Sequence, residues 1–179
     1  VPGSERPDEY FLYTAHWDHL GKTAGADDSH VDTIFNGASD NATGIAALIE
    51  LGRVFAATQP RPERSVMFVA VTAEESGLLG SQHFAENPPA PVANMAGGLN
   101  MDNLYAIGKT RDITVIGYGA SDLDDYLRRA AARQGRVIVQ EPTPEKGFYY
   151  RSDHFNLAKQ GVPMLYTKAG IDSPTKGAD

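Results

Sequence analysis

Four apolar runs in this chain lead into, or follow, residues that bind metal ions or move protons. Tyr10 to Ala15 is followed by His16, Trp17, Asp18 and His19, and SVMFVAVTA (Ser65 to Ala73) by Glu74 and Glu75. Gly98 to Met101 is followed by Asp102, and the segment GASD, ending in Asp40, precedes an apolar pattern from Ala42. Singly, each is bland, since a carboxylate or imidazole at a strand end commonly caps a backbone or faces water. Together they offer imidazole nitrogen and carboxylate oxygen with no thiolate, a donor set that suits zinc or another borderline divalent ion in a catalytic site. Crowded carboxylates repel, and two ions roughly 3.5 to 4 Å apart would neutralise them if one carboxylate bridged both. Asp40, in a tight turn just ahead of a helix, is placed to be that bridge. Asp18 lies two residues beyond His16 on an extended strand, points the same way, and can accept a hydrogen bond from the other ring nitrogen of His16. Glu74 and Glu75 are adjacent and point in different directions, so one can ligate metal while the other holds a water for attack. His19, His30 and His83 read as ordinary polar positions, and the Asn41–Ala42–Thr43 glycosylation pattern as incidental.

The elements that must carry these residues follow from hydrophobic periodicity. Strands are predicted at Tyr10–Ala15, Ser65–Thr72, Gly98–Met101, Ile113–Ile116, Val137–Val139 and Val162–Thr167. Helices are predicted at Ala42–Ala57, Gly77–Ala85, Ser121–Arg133 and Ser152–Lys159, with Gly44 and Gly52 as weak points of the first. A long polar loop runs to Ser39. The β-branched run Ser65–Thr72 reads as a strand covered on both faces, and Ser121 and Ser152 as helix N-caps. Alternating strands and helices imply an α/β layer fold around a largely parallel sheet, whose ligands bind beyond the carboxyl ends of the strands.

Composition narrows the function classes. The chain has 179 residues, a formal charge of −7, 41% hydrophobic residues and no cysteine. That is one ordinary domain, large enough for a core without disulfides. Cys₄ and Cys₂His₂ zinc sites are excluded, the acidic balance argues against a nucleic-acid partner, and no apolar run is long enough to span a bilayer. The first residues carry no initiator Met or signal-peptide pattern, and both ends read as cut.

The segments AHWDHLG (Ala15–Gly21), NGASDNATG (Asn36–Gly44), VAVTAEESGLLGS (Val69–Ser81), NMDN (Asn100–Asn103) and YYRSDHFNLAKQGVP (Tyr149–Pro163) resemble, in order, the two-zinc exopeptidase family. That family includes secreted bacterial aminopeptidases, glutamate carboxypeptidase, the transferrin-receptor ectodomain and glutaminyl cyclases. The resemblance implies a three-layer α/β/α sandwich with a mixed, largely parallel central sheet, and a single catalytic domain over residues 1–179. It implies zinc ligands His16, Asp40, Glu75 and Asp102, with Asp40 bridging. It implies Glu74 as general base on a zinc-bound water, Asp18 as the partner of His16, and Tyr149, with Tyr150 as its rival, as oxyanion donor. Tyr150, Arg151, Asp153 and His154 fall in the segment lining the substrate. The Asp40–Asn41 peptide is one that the family often holds cis.

The function so implied is a zinc-dependent aminopeptidase acting on peptides with a free N-terminus, secreted or periplasmic. A glutaminyl cyclase-like acyltransferase and a non-catalytic receptor-like domain are the alternatives. In the family the second zinc is completed by a histidine in a later motif that this sequence lacks. The expectation is therefore an incomplete shell at the Glu75 position, one zinc or none in this chain, and full activity only in the intact parent.

Overall fold

The computed structural model describes residues 1–23, 32–104 and 108–175. His30 lies outside them. In chain order the strands are β1 (Arg6–His16), β2 (Gly21–Lys22), β3 (Ile34–Phe35), β4 (Arg64–Val71), β5 (Met95–Asn100), β6 (Asp112–Ile116), β7 (Val137–Gln140) and β8 (Met164–Ala169). The helices are α1 (Ala42–Ala57), α2 (Leu79–Glu86), α3 (Leu123–Arg133) and α4 (His154–Lys159). Six strands form one sheet in the order β4-β1-β5-β8-β6-β7. Every neighbouring pair is parallel except β6 and β8.

The period-2 alternation of the strands divides their side chains between two layers. Leu12, Met67 and Val69 pack with Ala85, Met95, Leu157 and Met164 under α2 and α4. Tyr13, Ala15, Phe68 and Leu99 pack with Ile45, Leu48 and Leu51 of α1 on the opposite face. Leu123 and Leu127 of α3 lie beside Tyr13, Leu99 and Leu165 on that same face. This is the three-layer arrangement with a mixed, mostly parallel sheet.

β4 is covered on both faces, Met67 and Val69 on one and Phe68 on the other, although it lies at the sheet edge beside Val1, whose N-terminus donates to the Val66 carbonyl (2.8 Å). Several local expectations are corrected. The loop before Ser39 contains the antiparallel ribbon of β2 and β3. α3 and α4 begin at Leu123 and His154, with no side-chain cap from Asp122 or Asp153. Ser121 does accept from the Leu123 amide (3.3 Å). Ser152 caps nothing, because its hydroxyl is used in the site described below.

Asn41 ties α1 to the sheet. Its Oδ1 accepts from the amides of Gly44 (3.1 Å) and Asn103 (3.0 Å), and its Nδ2 donates to the Met101 carbonyl (3.0 Å). Gly44 is required by this approach, since a Cβ there would overlap the Asn41 amide and the Met101 carbonyl. Asn41 is 1% exposed, so the glycosylation pattern it begins is closed to modification in the folded chain. Replacing Asn41 by Ala is expected to destabilise the chain by about 3 kcal/mol, by removing the helix cap and stranding a buried carbonyl. The shift of the urea midpoint measures this, and a change under about 0.5 kcal/mol, the size of an ordinary surface substitution, would contradict the role.

Candidate metal centre

The crevice forms where β1, β4 and β5 end together. His16 closes β1 and is buried, with Val71 of β4 and the chain leaving β5 beside it. Parallel pairing continues past the strand ends: the Trp17 amide donates to the Val71 carbonyl (3.0 Å) and the Met101 amide to the Thr14 carbonyl (2.8 Å). These two ladders carry Glu74, Glu75 and Asp102 to the His16 imidazole. After β4 the chain turns through Ala73 at φ 55°. The turn is held by Asp18, whose carboxylate accepts from the Glu74 (3.2 Å) and Glu75 (3.3 Å) amides.

Asp18 also borders the His16 ring. The His16 Nδ1 lies 3.1 Å from the Asp18 backbone carbonyl, and the Asp18 carboxylate is farther, at 3.7 Å. The carbonyl fixes the ring and the carboxylate positions the glutamate pair.

The adjacent glutamates do enter different groups. His16, Glu74 and Asp102 offer ligand atoms all within 4.8 Å of one another, and so do His19, Asp40 and Glu75. Asp40 touches both groups, with Oδ1 3.2 Å from the His16 Nε2, and the Asp102 Oδ1 lies 3.5 Å from the same nitrogen. The Asp40–Asn41 peptide is cis. His19, read from sequence as an ordinary polar residue, places Nδ1 2.6 Å from the Glu75 Oε1.

Asp102 is oriented from behind. Its Oδ2 accepts from the Ser152 hydroxyl (2.6 Å) and the Tyr166 hydroxyl (3.2 Å). Asn100 donates to Ser152 (2.7 Å) and accepts from Thr14 (2.6 Å). This chain of bonds leaves Oδ1 facing His16. Sequence reading did not find Asn100, Ser152 or Tyr166, because each gains its role only through partners 50 or more residues away.

The electrostatics are those of a site that needs a cation. Burial presses His16 towards neutrality, but contact with Asp102 and the charges of Asp102, Glu74 and Asp153 outweigh it and hold the imidazole up at about 9. Burial raises Glu74 to about 8, helped by Asp102, Asp153 and Glu75 and opposed by His16. Burial, followed by the charge of Asp102, raises Asp40 as well. Two buried atoms, His16 Nε2 and Asp40 Oδ1, have no hydrogen-bond partner although they face each other. Buried polar atoms left without partners are costly, and a divalent ion between imidazole and carboxylates would satisfy both. The residues present therefore fit a bound metal.

The remaining expected site residues divide by depth. Tyr149 is half-buried, with its ring against His154 (centroids 4.9 Å apart) and Tyr150 (5.5 Å). Tyr150 and Arg151 are exposed, the guanidinium 5.9 Å above the Phe148 ring. Asp153 and His154 are corrected as substrate-lining residues, being 1% and 0% exposed. Burial holds His154 down at about 4 and Asp153 up at about 6. His154 packs between Tyr149 and Tyr166, while Asp153 adds charge beneath His16 and Glu74. His83 is exposed on α2 beside Asn87.

The profile of peptidase family M28 matches residues 1–177. A probable zinc metalloprotease of Pyrenophora tritici-repentis is 37% identical over 102 residues, 57% of this chain and 22% of that protein. The match thus spans about a fifth of the relative's length. Among solved structures, a zinc aminopeptidase from Bacillus subtilis superposes with a TM-score of 0.70 at 21% identity, covering 98% of this chain and 39% of that one. A glutaminyl cyclase of Bacteroides thetaiotaomicron gives 0.64 at 22% identity, covering 96% and 63%. At these identities the superpositions speak to fold alone.

Proposed function

The chain belongs to peptidase family M28, and from that premise we propose that it carries the catalytic centre of a zinc-dependent aminopeptidase that removes N-terminal residues from peptides. The observation that carries the reading is the meeting of His16, Asp40, Glu74, Glu75 and Asp102 in one crevice, with His16 Nε2 and Asp40 Oδ1 buried and unpartnered. His16 and Asp102 would hold one ion, Glu75 the other, and Asp40 both. Zinc bound there supplies Lewis acidity towards the scissile carbonyl and lowers the pKa of water towards neutrality.

The protein's own groups supply the rest. Glu74 takes a proton from the attacking water and delivers it to the leaving amine. Its elevated pKa suits a base that must also act as an acid. Asp18 keeps both glutamates aimed through their amides. The Tyr149 hydroxyl is the donor for the developing oxyanion, with Tyr150 and Arg151 on the exposed rim nearby. The surplus of carboxylates around Glu74 and Asp102 favours a substrate that brings a positive α-amine to the site. A secreted or periplasmic setting belongs to the same proposal; among the described residues no helix is long and apolar enough to cross a membrane.

The test is a zinc-loaded chain assayed on an aminoacyl anilide and on its N-acetyl derivative. Cleavage of the free amine with a loss of about a hundredfold on acetylation is expected, since a desolvated charge contact is worth a few kcal/mol. Equal cleavage of both would remove the aminopeptidase assignment. Ammonia release from a peptide with N-terminal glutamine, without peptide cleavage, would make the centre a cyclase.

A further inference from the structure

We infer that Glu141 recognises the first side chain of the substrate and makes this centre selective for peptides that begin with a basic residue. The inference rests on the aminopeptidase reading above and adds to it the class of side chain accepted.

A cavity of about 440 Å³ lies where the chain leaves β6 and β7, lined by Gly117 and Tyr118 after β6, by Gln140 and Glu141 at the end of β7, and by Tyr149 and Tyr150. The register of the sheet places it. Ile116 pairs with Tyr166 of β8, and the Glu141 amide donates to the Val115 carbonyl (3.2 Å), which carries the β6–β7 pairing one residue past β7. Glu141 thus stands beside Ile116 and shares a sheet face with Tyr166, roughly 10 Å away across two strand spacings. Tyr166 is the residue that donates to Asp102, so the cavity and the metal centre lie on one face. Tyr149 borders the cavity on that face. Its ring meets His154 and also lies against Gly117, where at φ +74° a Cβ would overlap it.

Two observations give the cavity its chemistry. Glu141 is 6% exposed, and its Oε2 is buried with no hydrogen-bond partner. Among the described residues no basic side chain pairs with it. Arg128 reaches the Tyr118 hydroxyl (2.9 Å) but is committed to Asp125, and Arg151 lies over the Phe148 ring. A buried carboxylate left unpaired is costly, and a guanidinium or ammonium entering the cavity would satisfy it. The walls suit the rest of such a side chain, because tyrosine faces attract a cation and cover an alkyl stem. The choice of the first residue follows from the reaction. With the substrate's α-amine among the carboxylates and its carbonyl at the Tyr149 hydroxyl, the carbon between them carries the first side chain, and the Tyr149 ring borders the cavity that receives it.

The test compares arginine with citrulline, its neutral isostere, as the first residue. For the zinc-loaded chain, kcat/KM is measured on arginine, citrulline and leucine anilides, and equilibrium binding of argininamide and citrullinamide is followed by NMR, a readout that needs no turnover. A preference for arginine over citrulline of about tenfold to a hundredfold, the range of a buried charged hydrogen bond, is expected in both readouts. In Glu141→Gln the ratio should fall to about one while leucine anilide is cleaved as before. Ala120→Lys, at an exposed position lining the same cavity, should lower the ratio by placing a resident cation there, and it decides the matter if circular dichroism shows Glu141→Gln unfolded. Cleavage of leucine anilide with no preference for arginine, or with a preference unchanged in Glu141→Gln, would overturn the inference and leave the aminopeptidase reading standing. No turnover on any anilide, with argininamide still selected through Glu141, would count against that reading and keep the cavity as a cation site. No selection in either readout would overturn the inference.

Discussion

Replacing Glu74 by Gln should lower turnover by about a thousandfold or more while leaving metal content unchanged, the range expected when a positioned general base is removed. The argument starts from the turn after β4. Asp18 holds the backbone amides of both glutamates, so Gln at position 74 retains the backbone position and nearly the same volume. What it loses is the capacity to accept and return a proton. In the metal-free chain, burial and then the carboxylates around it push the Glu74 carboxyl up to about 8, against the pull of His16. A cation in the crevice draws such a group back towards ionisation, leaving a carboxylate that is basic for its kind. Glu74 also lies within ligand distance of His16 and Asp102. Turnover and zinc content must therefore be measured together. Lost turnover with both ions kept identifies a base, lost turnover with one ion missing identifies a ligand, and retained turnover removes Glu74 from the mechanism.

Replacing Asp40 by Ala should abolish binding of both ions rather than one. Asp40 belongs with His19 and Glu75, and its Oδ1 approaches the His16 Nε2 to 3.2 Å. One carboxylate serving two ions couples their occupancy. Without it the first ion keeps one imidazole and a carboxylate, the second loses a ligand, and the two positive charges face each other with less negative charge between them. The fold should survive, because Asn41, not Asp40, makes the bonds that cap α1 and reach Met101. Elemental analysis of gel-filtered protein checks the result. Two ions retained in Asp40→Ala would refute the bridge, and one retained would make Asp40 a ligand of a single site.

The legibility of this protein in its sequence was uneven for identifiable reasons. α1 matches its predicted span, because Ile45, Leu48 and Leu51 recur at the helical period. β1 begins four residues before the predicted Tyr10, at Arg6, which pairs with Arg64 ahead of a register shift; the sequence Arg6–Pro7–Asp8–Glu9 has no apolar periodicity to show this. Gly44 reads as a weakness on propensity, yet the helix could not approach Asn41 with any larger residue. Ser152 has the residue type and position of an N-cap, but a buried carboxylate outcompetes the helix amides for its hydroxyl.

The sequence by itself determined which chemistry was available. Its donor types, their placement after apolar runs and the absence of cysteine sufficed to point to a carboxylate and imidazole metal centre at the strand ends. Only the tertiary structure decided how those donors are shared out. Side-chain direction at a strand end depends on the turn that follows and on the partners the sheet order brings alongside, and those partners come from β1, β4, β5 and β8 together. That is why Asp18 serves the glutamates as well as His16, and why Asp102 is aimed by Ser152 and Tyr166. It is also why His19, bland as one residue in a polar loop, stands 2.6 Å from Glu75.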